Sequence, residues 1–235
     1  MKNNMFIIVV GLLFSTTLSA APRTFVAASN GNDANPCSRS LPCRSFSAAI
    51  AQTDVGGEVI ALDSGGYGVV TINQPVSLIA PSGVYAGITS SGGNGVTVAT
   101  VSGRVVLRNL TLNSAIMAAN SGVRADSLSV LSVESCTISG FDYGIQFAPS
   151  TANATLIVRD TAVANSTTIG IDVAGGMGVQ ATIDSVRLQQ NVTGIYVSGA
   201  EATIRTSVTS GIGNPGFWGQ LGFKSRGRRE PGHAS

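Results

Sequence analysis

Charged side chains are scarce in this chain: Asp, Glu, Lys and Arg make up 11% of its 235 residues, against about a quarter in ordinary soluble domains. That shortage excludes a helical bundle, which needs Leu, Glu, Lys and Arg in quantity. Histidine is rarer still. The one His, His233, stands close to the C-terminus, so the body of the chain has no imidazole for acid–base work or metal binding. Beyond residue 20 no apolar run approaches the roughly 20 residues of a membrane-spanning helix. A basic face is also missing. Setting aside Lys2 at one end, and Lys224, Arg226, Arg228, Arg229 and Glu230 at the other, turns the formal charge of +2 negative for the body. No nucleic-acid partner is expected of such a surface.

What the chain does have is small and apolar. Hydrophobic residues make up 43%, there are 29 Gly, and Ser, Thr, Ala, Val and Asn are plentiful. This mixture suits many short strands joined by tight turns. The length is enough for one domain with a sizeable core. Residues 1–20 read as a signal peptide: Lys2 supplies the positive start, residues 5–14 the apolar run, and Leu18-Ser-Ala20 the cleavage site before Ala21. The alternative is an anchor that is never cleaved. The expected location is secreted (extracellular, periplasmic or cell surface), with no membrane span after cleavage.

Export makes the cysteines interpretable. Cys37 and Cys43 flank a five-residue loop that is short enough to close as a local disulfide in an oxidising compartment. A metal site is the weaker reading, because no His or second Cys pair lies nearby. Cys136 is left over, inside a repeat, and is expected to be a buried, inert thiol.

The repeat emerges when the chain is slid against itself. Leu107-Arg-Asn-Leu-Thr-Leu112, Val133-Glu-Ser-Cys-Thr-Ile138, Val158-Arg-Asp-Thr-Ala-Val163, Ile183-Asp-Ser-Val-Arg-Leu188 and Ile204-Arg-Thr-Ser-Val-Thr209 align without gaps, at spacings of 26, 25, 25 and 21. Between them runs a second series, Gly122-Val-Arg-Ala125, Gly144-Ile-Gln-Phe147, Gly170-Ile-Asp-Val173 and Gly194-Ile-Tyr-Val197. A shared period in this range means stacked supersecondary units. The frame of a leucine-rich repeat is absent. The apolar positions alternate briefly and are then cut by Gly, Asn or Ser, which is short-strand chemistry. Several strands per period describe one coil of a parallel β-helix, each strand stacking on its counterpart at about 4.8 Å.

Stacking turns aligned positions into columns. Leu107, Val133, Val158, Ile183 and Ile204 are expected to point inward. So are Leu112, Ile138, Val163 and Leu188, and Val123, Ile145, Ile171 and Ile195 with Ala125, Phe147, Val173 and Val197. Arg108, Glu134, Arg159, Asp184 and Arg205 alternate in sign on the outer surface, where they can pair and fix the register of the coils. Asn109, Ser135, Asp160, Ser185 and Thr206 read as a turn. Upstream, residues 59–62, 69–72, 76–79 and 95–98 look like strands of the first coils. Residues 65–68 and 90–95 look like turns between them. Residues 46–52 form a short amphipathic helix with Phe46, Ala49 and Ile50 on one face, suited to covering the first coil.

Thr24-Phe-Val-Ala-Ala-Ser-Asn-Gly-Asn-Asp33, then Asn35-Pro-Cys37, Pro42-Cys43 and Phe46-Ser-Ala-Ala-Ile50, followed by these coils, resemble secreted right-handed parallel β-helix proteins of the pectin-lyase-like superfamily. The resemblance spans residues 24–210. It implies an all-β solenoid with a short capping helix, and it is weak for function. The organisation expected is a signal peptide at 1–20, an N-terminal cap at 21–56, β-helix coils at 57–210, and an irregular basic tail or C-terminal cap at 211–235. Polygalacturonases of this fold resemble one another through Asn-x-Asp, Asp-Asp, Gly-His-Gly and Arg-x-Lys. This chain has no Asp-Asp, no His in its coils and no Arg-x-Lys. Pectate lyases use clustered acidic residues around Ca²⁺ with an Arg base, and here Asp160, Asp172 and Asp184 fall on separate columns.

For binding, the outward column Arg124, Gln146, Asp172 and Tyr196, with Phe141 and Tyr143 in a preceding loop, offers mixed hydrogen-bonding groups and aromatics that suit a sugar chain. A passive surface is the competing reading of the same residues. The function expected is a secreted, non-catalytic surface or interaction module that takes a polysaccharide or cell-surface glycan, with no cofactor and no metal. The alternative is a polysaccharide lyase or hydrolase acting on an acidic glycan, with Arg159, Asp160, Asp172, Asp184 and Arg187 as its candidate group.

Overall fold

A computed structural model describes residues 21–116, 119–211, 217–220 and 223–226, the last two segments by backbone alone. The segment read as a signal peptide lies outside the described residues. The chain winds into a parallel β-solenoid of about six turns. Its three parallel sheets are here called A (nine strands), B and C (seven strands each). Each turn runs from A to B, on to C and back to A, and from residue 104 onward the link from A to B is a tight corner of one or two residues. Among the described residues no helix is long and apolar enough to cross a membrane.

The corners explain the polar column. Asn109, Ser135, Asp160, Ser185 and Thr206 all occupy the left-handed region, with φ between 46° and 58°. Asn and Asp tolerate this region better than bulkier residues. Pairing does not stop there: Asn109 N–H donates to the Glu134 carbonyl at 2.9 Å and Ser135 N–H to that of Arg159 at 3.0 Å. The Asn109 side chain also donates to the carbonyls of Ala80 and Pro81, both at 3.1 Å. A second corner, from B to C, repeats the device with Gly140, Asn165, Gln190 and Gly211, again at positive φ.

Inside, the aligned columns stack as the repeat predicts. Leu107 pairs with Val133, Val133 with Val158, Val158 with Ile183, and Ile183 with Ile204. All five are buried, as are the Leu112, Val123 and Ala125 columns up to Leu188, Ile195 and Val197. Burying each large aliphatic side chain contributes roughly 1.5–3 kcal/mol. Glycines within the strands of sheet C lie close against the next coil. A Cβ on Gly122 would meet the carbonyl oxygen of Gly144 at 2.6 Å, and one on Gly170 that of Gly194 at 2.7 Å. Successive coils therefore approach backbone to backbone at this point.

The helix α1 (Phe46–Ala51) is capped by Ser45, whose hydroxyl accepts from Ala48 N–H, and buries Phe46, Ala49 and Ile50. It packs on the strands Ala21–Val26, Thr53–Ala61 and Val70–Ile72. Residues 65–68 are more than the turn expected of them. Gly65–Gly66 is a short strand of sheet B, and Tyr67 is buried with its ring 5.0 Å from that of Phe46. Two short strands, Phe217–Gln220 and Phe223–Arg226, extend sheets C and A into the stretch read as a tail or cap. Residues 212–216, 221–222 and 227–235 of that stretch lie outside the described residues. Cys37 and Cys43 form a disulfide with Cα atoms 4.6 Å apart. Cys136 is unpaired and buried, and burial pushes its thiol up to about 12.

The alternating column keeps its register, Arg108–Glu134–Arg159–Asp184–Arg205. Among the described residues, however, only the Arg108–Glu134 rung closes as an ion pair, at 2.8 Å. Glu134 also accepts from Ser132 at 2.6 Å. Burial raises the Glu134 carboxyl, but the Ser132 and Arg108 hydrogen bonds outweigh it and hold the group below its ordinary range. The rungs thus differ in worth. Arg108→Met is expected to cost under about 1 kcal/mol, and Arg159→Met nothing measurable, in paired urea titrations.

Candidate functional site

The outer face of sheet C carries a continuous polar column. Thr71 pairs with Thr97, Thr97 with Arg124, Arg124 with Gln146, Gln146 with Asp172, and Asp172 with Tyr196. Each member alternates with a buried neighbour of the core, which is why the period-two pattern places it outward. The Tyr196 rung is followed in register by Trp218. Four of the five residues singled out in sequence, Arg124, Gln146, Asp172 and Tyr196, therefore share one file.

Gln146 is the hinge of its hydrogen bonding. Its Oε1 accepts from Arg124 Nη1 at 2.8 Å and from Ser121 Oγ at 3.0 Å. Both lone pairs of that oxygen are used, so its amide N–H groups are what it can turn toward Asp172. Arg124 is held from its other side by Asp126, Nε to Oδ2 at 2.8 Å. Asn94 supports the top of the file by donating to Thr97 Oγ1 at 3.1 Å and accepting from Ser121 N–H at 3.1 Å. Ser121, Asp126 and Asn94 were not singled out in sequence. Ser121 lies two residues ahead of Val123, at a position that Tyr143, Ile169 and Thr193 fill in the later coils, so the repeat carries no signal for it.

Tyr143 is the fifth residue, and its surroundings differ from expectation. It does not sit in a loop, because Phe141–Phe147 is one strand of sheet C. There Tyr143 pairs with Ser121 and Ile169 and is partly exposed beside the file. Phe141 is fully buried. The glycine column makes room for its ring, which lies 3.2 Å from where a Gly122 Cβ would be.

Asp172 is 8% exposed. Burial raises its carboxyl above the ordinary value, against the hydrogen bond from Gln146 and the charge of Arg124. In the window just above the usual carboxylate range, the folded chain holds this proton more tightly than the unfolded chain, so stability falls as pH rises through it. Asp172→Asn removes that penalty. It is expected to raise Tm at pH 7 and to lose its advantage in acid below the ordinary Asp range, as thermal melts at several pH values would record.

The group proposed for a lyase is dispersed. Arg159 and Asp184 project from sheet A, Asp160 is a corner residue, Arg187 lies on sheet B, and Asp172 on sheet C. Among the described residues no three His, Cys, Asp or Glu gather where they could hold a metal ion.

No protein-family model matches the sequence, and no curated protein matches it significantly. Among solved structures it is similar to the crystal structure of pectate lyase Pel9A, with a TM-score of 0.61 and 18% identity over 82% of this chain. The match covers 55% of the lyase, so this chain spans about half the length of that protein. A likeness at this identity establishes the architecture: this chain has the parallel β-helix fold of that lyase.

Proposed function

We propose that this chain is an exported, non-catalytic β-helix that holds a polysaccharide along the outer face of sheet C. In this reading residues 1–20 direct export, residues 21–56 close the first coil, and residues 57–210 build the binding surface. The observation that carries it is the unbroken file Arg124–Gln146–Asp172–Tyr196, in register across four coils. Rungs about 4.8 Å apart present donors and acceptors to successive hydroxyls. Tyr143 and Tyr196 offer ring faces to the apolar faces of sugars. The Cys37–Cys43 bond suits an oxidising compartment. The similarity to a pectate lyase makes a sugar polymer the natural class of ligand.

Arg124 is engaged by Asp126 and Gln146, and Asp160, Asp172 and Asp184 lie on different faces of the solenoid, too dispersed to act as one group. A glycan array with the purified chain is expected to give retention of one class of polysaccharide. An absorbance assay on polygalacturonate, with and without Ca²⁺, is expected to release no unsaturated uronide. Ca²⁺-dependent release would overturn the reading in favour of a lyase, and an array with no retained glycan would overturn it in favour of a passive surface.

A further inference from the structure

We infer, resting on the reading above, that the polysaccharide held by sheet C is an uncharged one and that this face turns away chains bearing carboxylates. Of the seven rungs from Thr71 to Trp218, only Arg124 and Asp172 carry a charge, and the two are opposite in sign. The cation is already balanced. Arg124 Nε lies 2.8 Å from Asp126 Oδ2, just beyond the end of its own strand. Asp142, partly exposed in the strand Phe141–Phe147, adds another anion to the sheet and accepts a hydrogen bond from Thr167 Oγ1. One cation therefore stands among three carboxylates.

The other cations of the coils lie elsewhere. Arg23, Arg104, Arg108, Arg159 and Arg205 are exposed on strands of sheet A, and Arg187 is on sheet B. On sheet A all but Arg104 face an acidic residue in an adjacent coil. Neither face offers a cluster of spare cations to a polyanion.

Hydrogen-bond chemistry leads to the same ligand. A sugar hydroxyl can donate to Asp172 or Asp142 and accept from Arg124, whereas a carboxylate only accepts. A uronate laid over Asp172 sets acceptor against acceptor and charge against charge. Asp172 is 8% exposed, so water and salt screen that repulsion less than they would at an open surface. Even in bulk water, two like charges about 4 Å apart weaken association about fivefold. Tyr143 and Tyr196 offer ring faces to charged and uncharged chains alike, which leaves charge to discriminate between them.

The test is a glycan array carrying uncharged, uronate and amine-bearing polysaccharides, with polygalacturonate and its methyl ester as a pair that differs in charge alone. The native chain is expected to be retained by uncharged polymers and not by polygalacturonate or alginate. Retention is expected to persist from low salt to about 0.5 M salt, because no ion pair to the ligand is being screened. Asp142→Asn/Asp172→Asn removes both anions of the sheet. Its residual affinity for polygalacturonate at low salt is expected to rise about fivefold or more over that of the native chain. Retention by a uronate polymer as strong as by any uncharged one, or by chitosan alone, would overturn the inference while leaving polysaccharide binding in place. A double variant that melts as a folded protein and gains nothing on polygalacturonate would overturn it too. An array that retains nothing is a different failure: it removes polysaccharide binding itself, and this inference with it.

Discussion

Gly144→Ala is expected to be among the most damaging single substitutions in the coils, lowering stability by about 3 kcal/mol. The reason is geometric. A Cβ at this position would meet the Gly170 carbonyl oxygen at 2.5 Å and a methyl of Val163 closer still. Real Cβ atoms do not approach backbone this closely, so two coils must separate locally. Gly170 cannot move away, because its own Cβ position faces the Gly194 carbonyl at 2.7 Å. Urea denaturation should register the loss as a lower midpoint with an unchanged slope. Gly66→Ala, with open space around its Cβ, is the control and should leave the midpoint nearly in place.

Phe147→Ala is the second large effect, at about 3–5 kcal/mol. Phe147 is fully buried and stacks in register between Ala125 and Val173. Both neighbours are smaller, so the ring fills volume that neither can take over when it is removed. The cavity would lie directly beneath Gln146, in the middle of the proposed binding file. Phe147→Leu retains most of the volume and should recover more than half of the loss. Thermal melts of the two variants beside the native chain would establish the order.

Much of this architecture was legible in sequence, and the reason is physical. A parallel solenoid stacks like on like, so the Leu107 column and the Asn109 corners recur at one spacing and announce themselves. The second corner escaped notice although Gly140, Asn165, Gln190 and Gly211 keep nearly the same spacing. Four positions filled by Gly, Asn and Gln share a backbone angle rather than a chemistry, and angle is not visible in an alignment of side-chain types. Tyr67 was hidden by its glycine neighbours, which read as a turn, while long-range packing on Phe46 decided its place. Register placed Glu134 between Arg108 and Arg159, but closing each rung depends on side-chain rotamers and local competitors such as Ser132. That is why one rung forms an ion pair and the others stay open. In the candidate site the file was legible because it alternates with the core. Its supports, Ser121 and Asp126, act through hydrogen bonds that no periodicity encodes.

The most direct test of the central claim is the affinity of a retained polysaccharide for three variants measured beside the native chain by titration calorimetry. Arg124→Ala and Tyr196→Ala alter the file on sheet C, and Arg159→Met alters sheet A on another face. The account predicts that the first two weaken binding by about tenfold or more, the loss of one well-placed contact, and that the third binds as the native chain does. Equal affinity in all four proteins, each shown to be folded, would contradict the placement of the ligand on sheet C.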